Sequence, residues 1–416
     1  MPNPQSRAGD ATFRTVRSTV VFDYLLSHLG FFTISPVLAV ALVQNGFGSW
    51  VGPALFAFNF AMRGASLFLV KQIAHATFRK SAITGLLMSS VSFGILGFPV
   101  PTLVSLVMLT IAGVGISING TTMRLYIASQ VESSSLRHRA FTVVQTTVNI
   151  AAAVGPILGN YLFGFSSFLL FGAVSVLYLL ASFVLWYLLP ADLSPDPTGV
   201  RPPISKDVIA SGFRSPPIRL AMLLSITGGF MYAQLFSGFA ISISNELTSP
   251  LAKSAVYVGN AVLVVLFQYP VAKVTVSRLD SGTRPISVMC LGLFLFAASL
   301  VLLGAIGNSL IGFLFVIVVF SAAETVYTPT VDTVFTSLDP NRNFLELINL
   351  RQIAVSLGES TGALVGSYLA MAAFHSSFRG LPWYIVAAVA MLIAWFGMIR
   401  SKSVNNQDTD HRKAHA

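Results

Sequence analysis

Long apolar runs separated by short polar interruptions fill the whole chain. Twelve of these runs come close to the ~20 residues that an α-helix needs to cross a bilayer. They lie at 20–43, 51–71, 81–99, 102–123, 142–163, 167–189, 217–243, 254–274, 285–306, 309–331, 347–374 and 382–400. The run at 81–99 is interrupted most by serine and glycine. The longest polar stretch runs from Pro190 to Pro217, is dense in proline and charge, and separates six runs from six. This pattern predicts an all-α membrane protein of twelve transmembrane helices in two pseudo-symmetric six-helix bundles. The expected parts are an N-terminal tail (1–19), a first bundle (20–189), a linker (190–216), a second bundle (217–400) and a C-terminal tail (401–416) without regular structure. Connections such as Gly46 to Ser49, Gly164 to Ser167 and Gly307 to Ser309 are short enough to force neighbouring helices antiparallel.

Within this pattern one motif occurs twice. Gly155, Gly159 and Tyr161 align with Gly362, Gly366 and Tyr368 at a constant offset of 207 residues, about half of the 416-residue chain. Glycines four apart on a helix remove the side chains that keep two backbones separate. Pro156 adds a lost hydrogen bond and a potential kink. A half-length repeat of small-residue helices in an apolar chain points to a transporter built from two similar halves.

Composition narrows the reading. Apolar residues make up 54% of the chain and charged residues 10%, against about 25% charged in soluble domains. The net charge of +10 could suggest nucleic acid, but its placement does not. Twenty of the 25 Lys and Arg lie in the tails, with Arg400 counted at the start of the second, and in alternate connections, at 71–80, 137–139, 201–219, 273–284 and 342. This alternation follows the positive-inside rule and predicts both termini in the cytoplasm. No Walker loop, HExxH or Cys/His cluster is present, so no enzyme activity, cofactor or metal is expected. The single cysteine, Cys290, lies within a run and reads as a small buried apolar residue.

Several local patterns resemble the major facilitator superfamily, in its twelve-helix drug:proton antiporter branch. Gly155-Pro156-Ile157-Leu158-Gly159 resembles the antiporter signature of helix five in that branch. Asp23, Leu29-Gly30-Phe31-Phe32 and Pro36 resemble the first helix of a multidrug-resistance member. Ala323-Glu324 and Tyr269-Pro270-Val271-Ala272 resemble the same member. The chain departs from the family pattern twice. The loop from Lys71 to Lys80 keeps the basic end of the usual gating motif but lacks its acid and glycines. Leu109 stands where the fourth helix usually carries an arginine.

Charge inside a span costs about 2.5–3.5 kcal/mol at the bilayer centre and therefore calls for a partner or a water-filled cavity. Such groups are Asp23, Arg63, Arg124, Glu324, Arg351 and Glu359, three acids and three bases. At about 1.5 Å per residue, Asp23 lies ~5 Å from the start of its run, Glu324 ~10 Å from the end of its own, and Glu359 ~18 Å deep. Asp23, Glu324 and Glu359 are the proton-coupling candidates; acids in helix one serve proton or cation binding in the exporters that the chain resembles. Arg63 could bind an anionic part of a substrate or neutralise Asp23. Arg351, His28, Asn59 and Asn119 are further substrate-binding or pairing candidates, although His28 lies 140° around the helix from Asp23. Gly155, Pro156, Gly159, Gly362 and Gly366 are assigned to helix packing.

The resulting expectation is a proton-coupled exporter of small amphipathic molecules, multi-pass in a bacterial inner membrane and monomeric. Its partners would be the cargo, protons and lipid. Alternatives are export of a self-made metabolite such as a siderophore, import of a nutrient, or a non-transporting membrane receptor or scaffold.

Overall fold

A computed structural model describes residues 4–131, 134–195, 210, 212–338 and 344–414. Every regular element among them is helical. The first half holds α1 (Pro4–Gln44), α2 (Val51–His75), α3 (Phe78–Leu96), α4 (Thr102–Gln130), α5 (Ser134–Phe165) and α6 (Ser167–Leu188). The second half holds α7 (Pro216–Ala233), α8 (Gly238–Glu246), α9 (Pro250–Asp280), α10 (Pro285–Ile306), α11 (Leu310–Ser337), α12 (Phe344–His375) and α13 (Leu381–Ala414). Nine helical stretches among the described residues are long and apolar enough to cross a membrane, with α7 and α8 together forming one of them. Helices α2, α3 and α12 bring the set to twelve. The 19 residues of α3 extend about 28 Å, close to the ~30 Å hydrocarbon thickness.

The chain divides into two compact units, Met1–Pro203 and Ile204–Ala416. Each unit repeats the same pairings. In the first, α1 packs on α5, α3 on α4, α2 on α4 and α3 on α6. In the second, α7 packs on α12, α10 on α11, α9 on α11 and α10 on α13. Counting α7 and α8 as one span, these are the same four pairings shifted by six helices.

Hydroxyls and glycines set the helix starts. Thr77, Ser166, Ser249 and Ser309 accept hydrogen bonds from backbone amides three residues on, satisfying donors that a helix N-terminus leaves free. Gly46 and Gly48 have φ of +80° and +50°, which lets the chain turn sharply between α1 and α2.

Four expectations need correction. The run at 217–243 is not one continuous helix: a 3-10 turn over Gln234–Phe236 divides α7 from α8. Gln234 donates to the carbonyl oxygens of Phe230 (3.0 Å) and Gly362 (3.1 Å), so the break is held by a side chain rather than by proline. The tail after Arg400 continues α13 to Ala414; no proline or glycine interrupts it. The run at 81–99 begins earlier and ends at Leu96, where Gly97 and Pro101 follow. Helix α4 continues to Gln130, past the predicted end of its run at 123, so Arg124, just beyond that end, lies inside the helix. The expected linker falls largely outside the described residues.

Candidate functional site

In the first unit, Asp23 is 1% exposed in α1. The Asn119 side chain of α4 donates from Nδ2 to both carboxylate oxygens, at 3.1 and 3.2 Å. Among the described residues this amide is the carboxylate's hydrogen-bond partner. Tyr178 of α6 lies within electrostatic reach of Asp23, and its buried hydroxyl has no hydrogen-bond partner among the described residues. Its ring fills the space left by Gly30, where a Cβ would approach Tyr178 to 3.0 Å. Half-buried His28 stacks on Tyr24 at 4.8 Å and contacts Ser27 Oγ through Nδ1 at 3.2 Å. The charges of Arg124 and Arg63 both reach that ring. Arg63 and Asn59 lie on α2, and Asn59 donates to the Leu55 carbonyl oxygen within its own helix.

In the second unit, Glu324 of α11 accepts from Asn260 Nδ2 of α9 at 3.1 Å, and the same nitrogen donates to Ser321 Oγ at 3.0 Å. Among the described residues, a carboxylate answered by the amide of an asparagine on a neighbouring helix thus occurs in each unit. Glu359 of α12 is 7% exposed. It shares the surroundings of Tyr327 with Arg351, and the Tyr327 hydroxyl donates to the carbonyl oxygens of Leu224 (3.3 Å) and Ser225 (3.1 Å). Arg351 forms an ion pair with Asp332 of α11. A separate cavity of about 180 Å³ lies beside the Glu246–Arg379 ion pair (2.6 Å) and is also lined by Ser242, Asn245 and Trp383.

The repeated glycines occupy equivalent seams. Gly155 and Gly159 face Phe32 and Thr33 of α1, and a Cβ at Gly155 would sit 2.6 Å from Phe32 Cβ. Gly362 and Gly366 face Phe230, Gln234 and Ser237, and a Cβ at Gly362 would sit 2.7 Å from Phe230 Cα. Pro156 lies within α5, and Asn160 donates to its carbonyl oxygen at 2.9 Å.

Sequence reasoning missed three residues here. Asn260 is a lone neutral amide. Tyr178 is one aromatic in an apolar helix. Asp332 lies one residue beyond the predicted end of its run, eight residues after Glu324 in a helix that continues past it.

A family model described as Major Facilitator Superfamily matches residues 20–285. The chain belongs to the major facilitator superfamily. It is a multi-pass membrane transporter of small molecules, and not an enzyme. Its curated relatives include the protein named Multidrug resistance protein MdtH from Salmonella typhimurium and from Salmonella paratyphi B. Each is 22% identical over 377 residues, covering 90% of this chain and 91% of the relative. MdtH is the multidrug-resistance member whose first-helix spacing around Asp23 and Pro36 this sequence resembles. Among solved structures, the POT family transporter PepTSo superposes with a TM-score of 0.76 at 13% identity, over 95% of this chain and 99% of that one. An auto-inhibited POT family peptide transporter gives 0.73 at 14% identity, over 94% and 97%. At these identities the superfamily fold is shared while the sequence has diverged widely.

Proposed function

We propose that this transporter is a proton-coupled exporter of small amphipathic molecules, of the drug-efflux kind, in the inner membrane. In this reading a monomer with both termini in the cytoplasm, built of bundles 20–189 and 217–400 joined by the linker 190–216, works by alternating access. The observation that carries the reading is Asp23: a carboxyl 1% exposed and met by a neutral amide. A group held this way can gain or lose a proton without leaving a buried cation unanswered, whereas a carboxylate locked to arginine cannot. Glu324 has the same kind of partner, and Glu359 is 7% exposed. The Multidrug resistance name of the MdtH relatives favours export of drug-like cargo. One proton crossing 100 mV supplies ~2.3 kcal/mol, enough for about fifty-fold accumulation of a neutral cargo.

The test is purified protein in proteoliposomes under an imposed pH gradient, with labelled amphipathic drugs. The expected result is drug movement against the proton flow, uncoupled or lost in Asp23→Asn and in Glu359→Gln while both variants still fold. Flux indifferent to the gradient, or normal coupling in both variants, overturns the proposal. Movement of a metallophore or a nutrient in place of drugs reassigns the cargo.

A further inference from the structure

We propose that the cavity beside Glu246 and Arg379 is a binding site for a small zwitterion of the aliphatic amino-acid kind. It lies wholly within the second unit, where the ends of α8, α10 and α12 meet the start of α13. An acid and a base both line it. Two glycines put the base there. A Cβ at Gly304 would come within 3.0 Å of the Gly380 carbonyl oxygen, and one at Gly380 within 2.7 Å of the Gly304 carbonyl oxygen. The connection after α12 can therefore lie directly on the end of α10, and it carries Arg379 to the cavity. The Phe374 ring, 5.6 Å from the guanidinium, holds the cation in place.

Charge and size select the ligand. Arg379 and Glu246 spend one hydrogen bond on each other, from Nη1 to Oε1 at 2.6 Å. Among the described residues, the other N–H groups of Arg379 and the Oε2 of Glu246 have no hydrogen-bond partner. The free edge of a guanidinium takes a carboxylate, and the free oxygen of a carboxylate takes an ammonium. A molecule that carries both groups close together answers both at once. A lone anion would be repelled by Glu246, and a lone cation by Arg379. The side chains of Ser242, Asn245 and Asn308 add a hydroxyl and two amides to the lining, also without partners among the described residues. Leu303, Ala373 and Trp383 are buried and make part of the lining apolar, which suits a short aliphatic side chain. A volume of about 180 Å³ exceeds the ~150 Å³ that admits benzene, and so has room for an amino acid the size of valine.

The test uses the full-length protein in detergent, with no gradient, so its failure leaves the exporter reading untouched. Equilibrium dialysis with tritiated L-valine should show one saturable site per chain. Isovalerate, which lacks the ammonium, and isobutylamine, which lacks the carboxylate, should each compete about ten-fold more weakly than unlabelled valine, or worse. Glu246→Gln and Arg379→Gln should each weaken valine by a similar factor. Both should leave the melting temperature nearly unchanged, since an ion pair with side chains 23% and 59% exposed contributes little to stability. Ala305→Trp, at an exposed position of the lining, should fill the cavity and abolish binding. Absence of saturable valine binding, equal competition by either analogue, or unchanged affinity in both charge variants overturns the proposal. So does valine binding that is lost in Asp23→Asn and kept in Ala305→Trp, because the amino acid would then sit on the transport path.

Discussion

Asp23 and Asn119 form a unit whose parts depend on each other unequally. Removing the amide leaves a buried carboxylate without its donor, which costs about 1–3 kcal/mol or more for a charged acceptor. Asn119→Ala should therefore lower the melting temperature clearly, and Asp23→Asn in the same background should recover most of the loss; equal losses in both backgrounds would show that the pair is not coupled. The ion pair of Arg351 with Asp332 belongs to a different class. Asp332 is 53% exposed at its side chain, and such pairs contribute about 0–1 kcal/mol. Asp332→Asn should accordingly shift melting little. At this scale the sequence revealed the acids, because a charge in an apolar run stands out, but it concealed their partners. Asn119 stood out only as one of several substrate-binding or pairing candidates and Asn260 not at all, and the register between helices shows that each meets a carboxylate.

The glycine helices make the sharpest contrast between elements. A methyl at Gly159 meets the Thr33 carbonyl oxygen of α1, whereas one at Gly172 in α6 meets nothing within 4 Å. Gly159→Ala should push α1 and α5 apart and destabilise by about 1–3 kcal/mol or more. Gly172→Ala should be neutral or stabilising by up to ~1 kcal/mol, since alanine favours helix. Parallel melting curves of the two variants test the seam directly. The 207-residue repeat was readable because glycine at four-residue spacing is visible in one dimension. The break between α7 and α8 was not, because Gln234 creates it by reaching sideways to Gly362, a contact across 128 residues. The helical tail to Ala414 was misread for a simpler reason: polarity was taken as absence of structure, though nothing in that stretch forbids a helix.

For the molecule as a whole, hydropathy and the twofold pattern suffice to read the architecture, since an apolar solvent leaves helices as the economical way to satisfy the backbone. Cys290 gives an internal gauge of its integrity. It is fully buried in α10, and a Cβ at Gly397 of α13 would sit 3.0 Å from its sulfur. A maleimide should leave the native protein unlabelled and react as the second half unfolds, so the labelling curve should coincide with loss of helical signal; fast labelling of the native protein would contradict this packing. The bond between Asp23 and Asn119 carries a further consequence for how the chain is made. The two residues are 96 positions apart, and synthesis proceeds at about 5–20 residues per second. For roughly 5–20 s after Asp23 leaves the ribosome, the amide that will answer it has not yet emerged. The nascent first helix therefore has to be sheltered, by the insertion machinery or by lingering at the membrane surface, until the fourth arrives.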